Sequence, residues 1–208
     1  RHTRSQSVTG VQTCALPISE GLVLPARRLK VVLDACVLFP TVLREIMLGV
    51  AKKGLFTPLW SDRILEEWAR ATVKLGPGAQ VIARGEIALM RAEFPNACLP
   101  KAGGIEARLM LPDANDTHVL AVAISGGADA IITFNASDFP RHILAEEGIA
   151  RRDPDGFLWE MWSHHPDSVA ETVAQIHATA ERLSGAPIAL KALLKRAQLP
   201  KLAKVLQA

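Results

Sequence analysis

The sequence predicts a layered α/β fold followed by helices, and three observations carry the prediction. Leu29–Leu33 (LKVVL) and Ala130–Thr133 (AIIT) are short apolar runs rich in β-branched residues, the pattern of strands buried on both faces. The chain between them is dominated by segments with apolar residues at helical spacing. Beyond Pro154 the pattern is almost wholly helical. Strands alternating with helices argue for helices layered on a sheet.

The first strand ends at Asp34, and Pro40 suits the first turn of the helix that follows. Val42, Leu43, Ile46, Met47 and Val50 form its apolar stripe, and Gly54 stops it. Ser61 and Asp62 can cap a second helix whose stripe is Ile64, Leu65, Trp68 and Ala71. Glu67 lies at the edge of that stripe and Glu66 points further out. A third helix is expected over Ala79–Phe94, then a loop-rich stretch with a short strand near Ala97–Leu99. Asp113–Ser125 reads as a helix that is nearly apolar all round beyond its first turn, hence buried, and Gly126–Gly127 ends it. After the AIIT strand, Phe157–Ser163 brings Trp159 and Trp162, expected to anchor the extension to the body. Ser168–Leu183 is amphipathic, and Pro187–Ala208 is basic, without an acid, and divided at Pro200.

The bulk composition bounds the function. With 49% hydrophobic and 22% charged residues among 208, a core can form and wholesale disorder is excluded. A formal net charge of +3 is compatible with an anionic partner and does not require one. Three cysteines without close spacing, Cys14, Cys36 and Cys98, exclude a disulfide framework or a structural zinc site and point to a cytoplasmic location. No apolar run is long enough for a membrane span. Residues 1–20 show no helix or strand period and read as a non-native or disordered leader. The fold is expected over 28–156 and the helical extension over 157–208.

The chemistry is expected where buried elements end in polar residues. Asp34 closes the first strand, Asp113 and Asp116 open the buried helix, Asn135 and Asp138 follow the second strand, and Glu67 rides a helix edge. If the two strands are parallel neighbours, these groups converge at one sheet edge. Clustered carboxylates repel and one would normally take up a proton; Mg²⁺ or Mn²⁺, which prefer oxygen ligands, removes the conflict. Such a site suits metal-assisted phosphoester hydrolysis. Each residue also has a plainer reading. Asp113 and Asp116 can serve as helix cap and dipole partner, Asp138 as a turn residue, and His118 as a packing histidine with a substrate contact as the lesser role.

The pieces VVLDACVLFP, SDRILEEWAR and LPDANDTHVLAVAISGGADAIITFNASDFP, in that order, resemble the PIN domain over roughly residues 29–156. The resemblance implies a three-layer α/β/α sandwich with a central parallel sheet and a metal-dependent ribonuclease, in many members the toxin of a toxin–antitoxin pair. It implies Asp34, Glu67 and Asp116 as catalytic acids, with Asp113 beside the last, and Mg²⁺ or Mn²⁺ held by three or four such acids; the ligands expected in this chain are Asp34, Asp113, Asp116, Asn135 and Asp138. The family's fourth acid is replaced here by Asn135, which offers a neutral oxygen, with Asp138 in reserve. RNA is expected along a basic rim of Arg44, Lys52, Lys53, Arg63, Arg70 and Arg141. Partners would be RNA and an antitoxin protein, and a homodimer is compatible. A haloacid-dehalogenase-like phosphatase needs a second Asp where Cys36 stands, and a receiver domain needs an acid pair and a lysine in an order not found here. The remaining alternative is a PIN-like RNA- or protein-binding module with weak or no catalysis.

Overall fold

The computed structural model describes residues 27–206; the leader expected at residues 1–20 lies outside them. Five strands form the sheet: β1 (Leu29–Leu33), β2 (Phe56–Ser61), β3 (Cys98–Leu99), β4 (Ala130–Ile132) and β5 (Ala150–Arg152). All are parallel, in the order β3-β2-β1-β4-β5. Helices flank the sheet, so the expected α/β sandwich with additional C-terminal helices is present. The chain leaves β1 toward β2 and β3 on one side and returns to β4 and β5 on the other. The β1–β4 boundary is therefore the topological switch point, the place where open parallel sheets build sites at the carboxyl ends of their strands.

Local sequence explains the elements around that point. Val31, Val32, Leu33, Ile131 and Ile132 are fully buried, as central parallel strands require. A short helix α1 (Ala35–Leu38) follows β1 and leads into α2 (Thr41–Lys52), which returns to the start of β2. The Ser61 side chain accepts a hydrogen bond from Ile64 N, capping α3 (Asp62–Ala71). Helix α4 (Ala79–Glu93) packs on α3, and α5 (Gly103–Glu106) follows β3. A 3-10 turn (Ala114–Asp116) opens α6 (Thr117–Ser125), which is buried along almost its whole length.

The segment 133–149, beyond β4, contains α7 (Arg141–Glu146). Helices α8 (Pro154–His164), α9 (Pro166–Ser184), α10 (Leu190–Arg196) and α11 (Pro200–Val205) complete the described chain. They share the main hydrophobic core. Phe157 packs edge-on against Phe56 with ring centroids 5.1 Å apart, and Leu158, Val169, Leu194, Leu199 and Leu202 are fully buried. Helix α9 lies so close to α2 that a Cβ on Gly49 would come within 2.5 Å of Thr172 Cγ2. The Asp155 carboxylate accepts from Lys201 N and Leu202 N at 2.9 and 3.1 Å, satisfying free amides at the start of α11. One expectation fails: Trp159 is 43% exposed, and the anchors are instead Phe157, Leu158 and Met161 on the inward face of α8. Trp162 is half-buried against the core.

Candidate metal centre and its surroundings

Parallel pairing of β1 with β4 sets Leu33 beside Ile132, so the next residues, Asp34 and Thr133, emerge together. Asp34 N donates to Ile132 O at 3.2 Å. The Asp34 side chain is 8% exposed. Its Oδ2 accepts from Thr133 Oγ1 at 2.6 Å and from Cys36 Sγ at 3.1 Å. Burial, then the Asp34 charge, push the Cys36 thiol up to about 12, so it stays protonated as a donor. Thr133 Oγ1 also accepts from Asn135 N at 2.9 Å, which fixes the turn carrying Asn135.

Asp113, Asp116 and Asp138 approach from other elements, and one carboxylate oxygen of each lies within 4.8 Å of the other two. Asp113 also caps the 3-10 turn, accepting from Asn115 N at 2.8 Å. The capping and clustering readings of this residue are therefore compatible. Asp116 bears the strain of the cluster. Burial, followed by the charges of Asp34, Asp113, Asp138 and Glu67, raises its carboxyl from 3.8 to about 6. Hard oxygen donors at this spacing, with one carboxyl raised by burial and by its charged neighbours, fit a divalent cation of the Mg²⁺ or Mn²⁺ type.

Asn135 stands among these acids in an orientation the sequence does not anticipate. Its Nδ2 donates to Asp116 Oδ2 at 3.1 Å and to Asp138 Oδ2 at 2.6 Å, while its Oδ1 accepts from Ser137 Oγ at 3.0 Å. The amide bridges two carboxylates through its donors, the reverse of the oxygen ligand expected.

Glu67 reaches the cluster's edge from α3. Arg63 Nε donates to Glu67 Oε1 at 3.2 Å, and His118 Nε2 lies 3.0 Å from the same oxygen. His118 Nδ1 has no hydrogen-bond partner among the described residues. Burial pushes the Glu67 carboxyl up, but His118 and Arg63 together outweigh it, so the group titrates below the usual glutamate range. Glu66 instead faces Arg70 and Arg84.

The expected basic rim needs correction. Arg44 is 2% exposed: it donates to Leu38 O at 2.7 Å and Glu86 Oε2 at 2.5 Å, and its guanidinium stacks over Trp68 at 4.5 Å. It is a structural cation, unavailable to RNA. Lys52 and Lys53 sit at the far end of α2, near the start of β2 and so at the sheet edge opposite the acids, where they pair with Glu93 and Glu171. Arg70 is tied to Glu66. Arg63 and the exposed Arg141, just beyond Asp138, remain on the side of the acids. Thr133 is the residue that sequence reasoning undervalued. Its place at the strand end was visible, but its grip on Asp34 depends on the β1–β4 register.

No curated protein and no solved structure matches the chain significantly. The model of the PIN domain matches residues 30–137, more than half of the chain and a span that includes Asp34, Glu67, Asp113, Asp116 and Asn135. The chain belongs to the PIN domain family.

Proposed function

We propose that the protein is a metal-dependent endoribonuclease and the toxin half of a toxin–antitoxin pair. The observation that carries the nuclease reading is the convergence of Asp113, Asp116 and Asp138 beside buried Asp34. These four would hold Mg²⁺ or Mn²⁺. When bound, the ion supplies positive charge for a developing phosphoryl dianion and acidifies water. Thr133 and Cys36 orient Asp34. Glu67, kept ionised by His118 and Arg63, is placed to orient or accept a proton from an attacking water. RNA is the substrate, cleaved to 5′-phosphate and 3′-hydroxyl ends. The toxin role is supported by the family, and the exposed Lys191, Lys195, Arg196, Lys201 and Lys204 of the basic C-terminal segment are the surface offered to an acidic antitoxin segment. The free thiols of Cys36 and Cys98 suit a protein working in the reducing cytoplasm.

The test is cleavage of a labelled oligoribonucleotide with Mn²⁺, Mg²⁺ or EDTA. Mn²⁺ should outperform Mg²⁺, because a site short of one charged ligand repays Mg²⁺ dehydration poorly. Asp34→Asn should keep the fold and lose on the order of 100-fold in rate or more, since even outer-shell changes at metal sites cost about 10–100-fold. Parent-like cleavage by Asp34→Asn overturns the assignment. The position of Asn135 Nδ2 between Asp116 and Asp138 favours one second reading, a non-catalytic RNA- or protein-binding module. Calorimetric absence of Mn²⁺ binding, with RNA affinity retained, would establish it. For the toxin role, a short adjacent reading frame whose product binds the protein and blocks cleavage is the expected finding.

A further inference from the structure

Next to the acids lies a cavity of about 230 Å³ that the catalytic reading leaves unused. Ser61 and Leu99, at the carboxyl ends of β2 and β3, form part of its wall, so it opens on the same sheet edge as the acids. Ala102 and Leu99 make an apolar side; Lys101, Arg63, Glu106 and Asp62 make a charged one. Arg63 separates the cavity from the metal centre, contacting Glu67 on one side and Glu106, at 3.0 Å, on the other. His118 also lines it, 4% exposed; its Nε2 lies 3.0 Å from Glu67 Oε1, whereas its Nδ1 has no hydrogen-bond partner among the described residues. A buried ring nitrogen without a partner costs stability, and a ligand that hydrogen-bonds Nδ1 would relieve the cost.

We propose that this cavity is a base-recognition subsite that takes one unstacked guanine of the RNA strand. The proposal rests on the nuclease reading for its substrate. Its volume lies below the roughly 300–1,000 Å³ of pockets that enclose whole drug-sized ligands, which suits a single base with its ribose and phosphates left outside. Single-stranded RNA offers such splayed bases to apolar walls and polar edges. The donor set selects the base. Lys101 matches the O6 and N7 acceptors of guanine, Arg63, already donating to Glu67, Glu106 and Asn115 O, adds positive charge beside them, and the Glu106 carboxylate can accept from guanine N1–H and N2–H. Adenine presents a donor in place of O6, and a pyrimidine leaves part of the cavity empty.

The experiment has two independent readouts on the full chain. First, GMP, AMP, CMP and UMP are titrated calorimetrically in EDTA, where metal-dependent phosphate binding is absent. GMP should bind at least tenfold more tightly than the others, and both Lys101→Ala and the cavity-filling Ala102→Trp should weaken it about tenfold, with unchanged melting temperature in at least one variant. Second, a randomised oligoribonucleotide is cleaved with Mn²⁺ and the ends are sequenced. A guanine preference at one fixed distance from the cut should appear and should relax in the same variants. GMP selectivity without cleavage would leave the subsite standing and remove the nuclease reading. Cleavage with no base preference and equal weak binding of the four nucleotides, unaltered by either variant, would remove the subsite and leave the nuclease.

Discussion

At the scale of single residues, the site is a balance between carboxylates and the groups that restrain them. Asp116 holds its proton to about 6 rather than 3.8, so the folded state binds protons more tightly than the unfolded chain. The stability that Asp116 contributes to the metal-free protein is therefore lost as pH rises from about 4 through about 6. Calorimetric melting curves should show a falling transition temperature across that window and a flatter profile for Asp116→Asn. Mn²⁺ should raise the transition above the window and do little below it, where Asp116 is protonated. An identical slope in parent and variant would remove Asp116 as the cause. Asn135 makes a second prediction. Its amide nitrogen bridges Asp116 and Asp138, so Asn135→Asp replaces two hydrogen bonds by repulsion in the metal-free protein and adds a ligand in the loaded one. The variant should melt lower without metal and bind Mn²⁺ about tenfold more tightly, equivalent to about 1.4 kcal/mol. Asp138→Ala should weaken binding by a similar factor. Unchanged Mn²⁺ affinity in both would place these two residues outside the ion's reach.

At the scale of elements, Arg44 locks α2 against α3 and α4. Its guanidinium lies between Trp68 and Glu86 and donates to the carbonyl of Leu38. Arg44→Ala removes a fully buried side chain with its stacking on Trp68, and large-to-small changes in a core cost about 2–5 kcal/mol, the range expected by denaturant unfolding. Glu86 retains contact with solvent and can rehydrate, so Arg44→Met, which refills the space over Trp68, should recover part of the loss. If Arg44→Ala unfolds at the parent's denaturant midpoint, the lock contributes nothing. Elements also show what the sequence could disclose. β1, β4 and α6 were legible because burial on all sides leaves continuous apolar runs. β2 was not, since Pro58 interrupts its pattern. Proline is tolerated there because β3 begins only opposite Trp60, leaving Pro58 a strand neighbour on one side alone. β5 is three residues long at the sheet edge, with two arginines, and carries no apolar signature. Of the site, the acids' convergence was readable from strand ends. The direction of the Asn135 amide and the burial of Arg44 were not, because both depend on contacts between distant segments.

At the scale of the whole molecule, the C-terminal helices are part of the core. Leu194, Leu199 and Leu202 are fully buried, and burial of such side chains contributes about 1.5–3 kcal/mol each. Their sum is comparable to the whole stability of a typical domain, about 5–15 kcal/mol. Deleting residues 187–208 should therefore lower the melting temperature sharply or prevent folding, with nuclease activity lost alongside. A truncated chain with the parent's melting temperature would show these helices to be dispensable. The β1–β4 junction has a consequence in time. Thr133 and the Asp34 it holds are 99 residues apart in sequence. At about 5–20 residues per second, ribosomal synthesis needs about 5–20 s to bring out the second after the first. A chain released early, before Asp113, carries Asp34 and Glu67 but none of the three clustered aspartates. If the proposed ribonuclease activity holds, such fragments would lack the metal centre and spare the message that encodes them, and cleavage could begin only after Asp138 has been made.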